Sequence, residues 1–320
     1  MNSQLYYFLP TYCFVVRGKV MNIIYNSQRG EITFIPDNVV NLIKTFETKN
    51  VEEIKSTFHE QKNKLDDIIT FLTDRNLLCT RSKDDLFPKI SIEHYSPEHI
   101  KHLVVEYSNK YDFCKISSII NTLLVKFVEI RYIIDTSFDV QEISQHMSSL
   151  YETTIKSAQI VIDYKYSKDL FNMSNLTEFN IVCRIIFFNS PFNRSELWGQ
   201  KNIQFVKYAY PYIKYSNNDY NKNYIFDLRY FMLSHTYNPY YYKRLCVNED
   251  GYFMNCLKCE KHFGNINNDN VLDVVNNKEF RELWYASYDK VKEIRDNPMR
   301  YNMYLTNCLR KEKNGLYTII

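Results

Sequence analysis

The chain has 320 residues, 45% hydrophobic and 24% charged, the balance of a folded protein of one large or two to three modest domains rather than a disordered one. Forty Lys and Arg against thirty-seven Asp and Glu leave a formal charge of +3, too near neutral for the basic coat of a nucleic-acid binder. Six glycines, at 18, 30, 199, 251, 264 and 315, stand too far apart to form a G-x-G-x-x-G turn or a phosphate loop, which excludes nucleotide binding by those routes.

Residues 1–85 read as one small unit. Residues 12–17 and 20–25 are β-rich, the polar turn Asn26–Gly30 follows, and Glu31–Ile35 is a third strand. Pro36-Asp37-Asn38 then caps a helix with Val39, Leu42, Ile43 and Phe46 on one face. Asn50 and Glu53 form a capping box for a second helix. Leu65, Ile68, Ile69 and Leu72 mark a third, and Leu77-Leu78-Cys79 returns as a strand. That order describes a winged helix-turn-helix. Its eleven basic and eleven acidic residues cancel, which argues against DNA and for a peptide added as a strand to the sheet edge. On that model Ile32 and Phe34 on the third strand, with Ile68 and Phe71 on the third helix, line the peptide groove; core packing is the competing use of the same side chains.

Residues 86–236 alternate strands and helices. Strands are expected at His102–Tyr107, Lys126–Ile134, Ala158–Tyr164, Ile181–Phe188 and Ile203–Ala209. Helices start at Asp112 and at an Asp139/Glu142 capping box, and a short one covers Ser167–Leu176. The spacing is that of βα units, so the expected architecture is α/β: an incomplete (β/α) barrel-like domain or an open parallel sheet. Asp135 and Asp163 at strand ends read as caps or turn formers, and Glu106, Glu129 and Arg131 as paired or exposed charges. No catalytic pair emerges. His94, His99 and His102 read as solvated histidines rather than metal ligands. No Cys-x3-Cys-x2-Cys triad occurs in the chain, so the usual three thiolates of a site-differentiated iron–sulfur cluster are missing.

The eight cysteines are too sparse for a secreted disulfide scaffold. No basic stretch precedes an apolar core at the N-terminus, and the apolar run from Tyr6 to Val16 is too short to span a bilayer. A cytoplasmic location without membrane contact is expected.

Residues 237–320 carry the most specific pattern. Leu245-Cys246-Val247 and Tyr252-Phe253-Met254-Asn255-Cys256 flank an Asp250-Gly251 hairpin turn, and Cys259 and Phe263-Gly264-Asn265-Ile266 follow. A helix with Phe280, Leu283 and Trp284 comes next. This stretch resembles a SPASM domain, the auxiliary iron–sulfur module of radical enzymes that modify ribosomal peptides. With Arg17-Gly18, Phe34-Ile35-Pro36, Leu86-Phe87-Pro88 and Thr306-Asn307-Cys308-Leu309-Arg310, the whole chain resembles the SPASM-domain peptide maturases of grasp-with-SPASM systems.

The resemblance implies a small α+β SPASM-like C-terminal domain, a middle like a radical-enzyme barrel, and an N-terminal recognition element for a precursor's leader peptide. It implies an accessory role in maturing a ribosomally made, post-translationally modified (RiPP) peptide beside an ATP-grasp ligase, with no S-adenosylmethionine chemistry because the triad is absent. Departures from the family are clear. Tyr240 stands where the family has a cysteine, and of its paired cysteines near the end only Cys308 remains. Cys256, Cys259, Cys308 and His262 form the candidate ligand set for an iron–sulfur cluster or zinc, both of which usually need four ligands. The competing expectation, that these are ordinary thiols and no cofactor is held, is the one favoured. Two rival functions remain: a metal-dependent redox or electron-transfer protein, and a winged-helix transcription regulator.

Overall fold

A computed structural model describes residues 4–85, 87–133, 139–172 and 179–320. Leu86, Asp135 and the end of the helix expected over Ser167–Leu176 lie outside the described residues.

The first unit runs β1 (Leu5–Phe8), β2 (Cys13–Val16), β3 (Asn22–Asn26), β4 (Glu31–Ile35), α1 (Asp37–Phe46), α2 (Val51–Thr57), α3 (Lys62–Asp74) and β5 (Cys79–Ser82). β2, β3 and β4 form an antiparallel sheet in that order, and β1 pairs with β5. The β3–β4 turn closes because Gly30 takes φ +67 and the Asn26 side chain accepts from the N–H groups of Gln28 and Arg29. Asn50 and Glu53 form both bonds of the capping box at 2.9 Å. Strand alternation then divides the sheet. Ile24 and Ile35 pack under the helices with Val40, Ile43, Ile54 and Leu72. Ile23 and Tyr25 face the other way, onto Phe231 and Tyr301 from the far part of the chain.

Most of the remainder is built on one nine-stranded sheet. In chain order come β6 (His102–Tyr107), α4 (Cys114–Leu123), β7 (Phe127–Tyr132), α5 (Gln141–Tyr151), β8 (Ser157–Asp163), α6 (Ser167–Asn172), β9 (Val182–Phe188), β10 (Arg194–Trp198), β11 (Lys201–Phe205), α7 (Tyr210–Tyr215), α8 (Leu228–Thr236), β12 (Arg244–Val247), β13 (Tyr252–Met254) and β14 (His262–Asn265). The spatial order is β10-β11-β9-β8-β7-β6-β12-β13-β14. β11, β9, β8, β7, β6 and β12 are parallel; β10 and the β13–β14 pair close the two rims antiparallel. The protein is therefore mixed α/β with a large, mostly parallel, open sheet. β10 was not expected: Gly199, at φ +57, turns the chain back so that β11 arrives through a hairpin instead of a helix. The hairpin β12–β13 forms across Asp250-Gly251 as expected, and through β12 it joins the middle strands in a single sheet.

The two faces of this sheet differ in chemistry. Leu103, Val105, Val128, Ile130, Ala158, Ile160, Leu245 and Val247 are buried in the main apolar core with Ile116, Ile120 and Ile143 of α4 and α5. The alternate positions, His102, Glu106, Glu129, Arg131, Gln159 and Arg244, turn to the opposite face. Each fully buried aliphatic side chain on the first face contributes about 1.5–3 kcal/mol, which holds the charged second face in place.

Candidate functional site

The edge of the sheet brings three thiols together. Cys256 leaves β13, Cys259 follows in a turn whose N–H donates to the Cys256 carbonyl (3.1 Å), and Cys308 precedes β15 (Leu309–Lys311), which pairs with β16 (Tyr317–Ile319). Their sulfurs all lie within 4.8 Å of one another, with Cys259 Sγ and Cys308 Sγ 2.9 Å apart. Two clamps fix the arrangement. The Lys258 ammonium donates to the carbonyls of Ser216 (2.6 Å) and Thr306 (3.1 Å), and the Tyr241 hydroxyl donates to the carbonyl of Asn307 (2.9 Å). Cys256 is buried, yet hydrogen bonds from the Cys259 and Cys308 thiols pull its pKa down; the same contacts push Cys259 up.

Three thiols at this spacing fit a thiophilic ion or cluster, because deprotonation of the other two would supply further soft ligands. Cys256, Cys259 and Cys308 would hold it. His262 is not among the ligand atoms gathered within 4.8 Å of one another: β14 carries it to the rim of the sheet, where its exposed ring lies against Tyr252 at 4.6 Å. The Tyr240 hydroxyl lies 3.3 Å from Cys256 Sγ. Cys246 is buried against Val104, Met254 and Leu257 as a packing thiol.

Tyr240 and Lys258 also line a cavity of about 750 Å³ on the charged face of the sheet. Arg131 Nε donates to Glu129 (2.6 Å), and Gln159 Nε2 donates to the other Glu129 oxygen (3.0 Å). Glu106 is held by Lys214 (3.0 Å) and the Tyr210 hydroxyl. These strand charges are paired, as expected. Of the three neighbouring histidines, His99 is exposed as expected, and the other two are not. His94 and His102 line this cavity, and burial, reinforced by Arg244 and Lys101, pushes His102 down to about 4. Lys101, Arg244 and Lys258 carried no signal in the sequence beyond their type; the register β7-β6-β12 sets Arg244 beside His102 on this face, and the turn after β13 brings Lys258 to the same cavity.

The four expected peptide-groove residues divide between the two faces of the first sheet. Ile32 pairs with Tyr25 and packs against the Tyr25, Phe231 and Tyr301 cluster. Phe34, on the same side of β4, is 56% exposed. Ile68 and Phe71 pack partly buried on the helical side, and Ile68 lines a cleft of about 280 Å³ between α1 and α3. A second cavity, of about 660 Å³, opens on the β2 side, between β1, β2 and residues 87–92.

No family model matches the chain, and no curated protein matches it in sequence. Among solved structures it is similar to SuiB of Streptococcus suis, at 11% identity over 92% of this chain and 94% of that one, with a TM-score of 0.31. The crystal structure of SuiB bound to precursor peptide SuiA gives 11% identity over 92% and 94% of the two chains, with a TM-score of 0.34. SuiB bound to S-adenosylmethionine gives 11% over 86% and 89%, with a TM-score of 0.27. Among the described residues no helix is long and apolar enough to cross a membrane.

Proposed function

We propose that the protein is an accessory factor in the maturation of a ribosomally made, post-translationally modified peptide. It holds the precursor's leader on residues 1–85, read as a winged-helix docking domain, and works with an ATP-grasp ligase without S-adenosylmethionine chemistry of its own. The observation that carries this reading is the edge of β4. Among the described residues β4 pairs with β3 alone and carries the exposed Phe34. Open edges invite another strand, which adds main-chain hydrogen bonds and places alternate side chains in pockets. The balanced charge of this unit and the motifs shared with grasp-with-SPASM maturases support the same reading.

Selection of a displayed random-peptide library on the full chain tests it. Enriched peptides should bind Phe34→Glu at least tenfold more weakly while the melting temperature stays unchanged. Equal binding to Phe34→Glu would sink the docking assignment. Ile32 is unsuited to this test, since a charge there would disrupt packing on Phe231 and Tyr301.

A second reading, a metal-binding redox or electron-transfer protein, is favoured by one observation, the gathering of Cys256, Cys259 and Cys308.

A further inference from the structure

The cavity beside the thiols has an excess of positive charge that the protein itself does not neutralise. Lys101, Arg131, Arg229, Arg244 and Lys258 line it against only Glu129 and Asp227. Glu129 is already engaged by Arg131 and Gln159, and Asp227 caps α8 through the N–H of Tyr230 (2.9 Å). Lys258 is taken up by carbonyl oxygens. The two arginines are left short of acceptors. Arg244 lies over the Tyr240 ring at 4.4 Å, and among the described residues its buried Nε has no partner. The buried Nη1 of Arg131 has none either. A buried donor without an acceptor costs about 1–3 kcal/mol, more when charged, and a guanidinium cannot shed its proton to escape that cost. Both nitrogens are closed off from the cavity, so what the two arginines offer a ligand there is the fixed charge and the remaining nitrogens of their guanidinium groups.

We propose that this cavity binds a carboxylate-bearing ligand, with the Arg244 guanidinium as its main contact and Arg131 as the second. Guanidinium forks match planar carboxylates in two parallel bonds. Phosphate, which concentrates its charge on one group, is disfavoured against a dicarboxylate that spreads the same charge over two, because Glu129 and Asp227 stand in the same wall. The cavity has the volume of a small-molecule site, and the exposed Asp227 and Arg229 mark the side from which it is reached. His102, held neutral at the base of β6, adds a hydrogen-bonding group without a competing charge. This site is independent of peptide docking on β4.

Calorimetric titration of the full chain at fixed ionic strength tests the proposal, with succinate, succinamide, inorganic phosphate and acetyl-Ala-Glu-Ala-amide as probes. Succinate should bind saturably, succinamide should not, and phosphate should bind at least tenfold more weakly than succinate. Tighter binding of the acidic tripeptide would assign the carboxylate to a peptide side chain; tighter binding of succinate would assign it to a free acid. Arg244→Lys, which keeps the charge and loses the fork, should weaken succinate at least tenfold. Glu129→Gln should strengthen it severalfold, a gain that a misfolded chain cannot produce. Absence of succinate binding, equal response to succinamide, preference for phosphate, or unchanged affinity in both variants would overturn the assignment.

Discussion

His146 stacks on Phe113 with ring centroids 3.9 Å apart and shares a hydrogen bond with the Tyr132 hydroxyl (3.2 Å). Burial pushes its pKa from 6.5 to about 4, as it does for His102. Both are depressed in the folded state, so the unfolded chain takes up their protons first as pH falls. Their contribution is complete above pH 6.5 and is lost between 6.5 and about 4. Each is worth at most about 3 kcal/mol at one unit per 1.36 kcal/mol, and less for the cavity-facing His102. Urea unfolding at stepped pH should therefore show stability falling through this window, and His146→Phe should flatten the fall; an unchanged slope would refute the assignment. At the thiols, anaerobic cobalt(II) should develop thiolate-to-metal absorption with the native chain and with His262→Ala, and not with Cys256→Ser. A silent spectrum for the native chain would remove the metal reading.

Elements with a strong local signal were legible before the structure. The capping box at Asn50 and Glu53, the helix start after Asp112, and the strand at His102–Tyr107 follow from side chains that satisfy backbone groups nearby or from unbroken apolar runs. The Asp139/Glu142 capping box does not form: Val140 is the N-cap of α5, and Asp139 accepts only from the Gln141 N–H. β10 was missed because Arg194, Ser195 and Leu197 are exposed and give no alternating apolar face. At the site, Cys256 and Cys308 were readable from motifs, and Cys259 from its Cys-x2-Cys spacing. The placement of His262 outside the thiol group and that of Arg244 on the cavity wall were not. Both depend on strand register: β14 pairs with β13 and carries His262 to the rim, and β12 lies parallel to β6 and sets Arg244 opposite His102. Register is a long-range property, which a one-residue slip reverses. The same alternation explains why Ile32 and Ile68 could not be assigned to opposite faces from spacing alone.

At the scale of the whole molecule, the first unit is fastened to the last part of the chain. Phe231 packs on Phe14 and Tyr25 with ring centroids 5.0 and 4.8 Å apart. Lys19 N–H donates to the Asp296 carbonyl (2.9 Å), and Arg300 donates to the Arg17 carbonyl (2.7 Å). Gly18 sits where a Cβ would come within 2.6 Å of Pro298 Cδ, so only glycine allows this approach. Phe231→Ala should cost about 3–5 kcal/mol by leaving a cavity at the seam. It should also speed tryptic cleavage after Lys89; an unaltered melting temperature and cleavage rate would show that the seam contributes little.

The pairing of β6 with β12 also shapes how the protein is made. Leu103 finds Leu245 across the sheet, so during synthesis β6 leaves the ribosome well before the strand that seals it. Throughout that interval one side of β6 is an unsealed template for wrong partners, and pairings so distant in sequence form slowly. The hairpin that carries the thiols is thus also the closing piece of the nascent sheet, and a chain stopped before Val247 would keep that side of β6 bare.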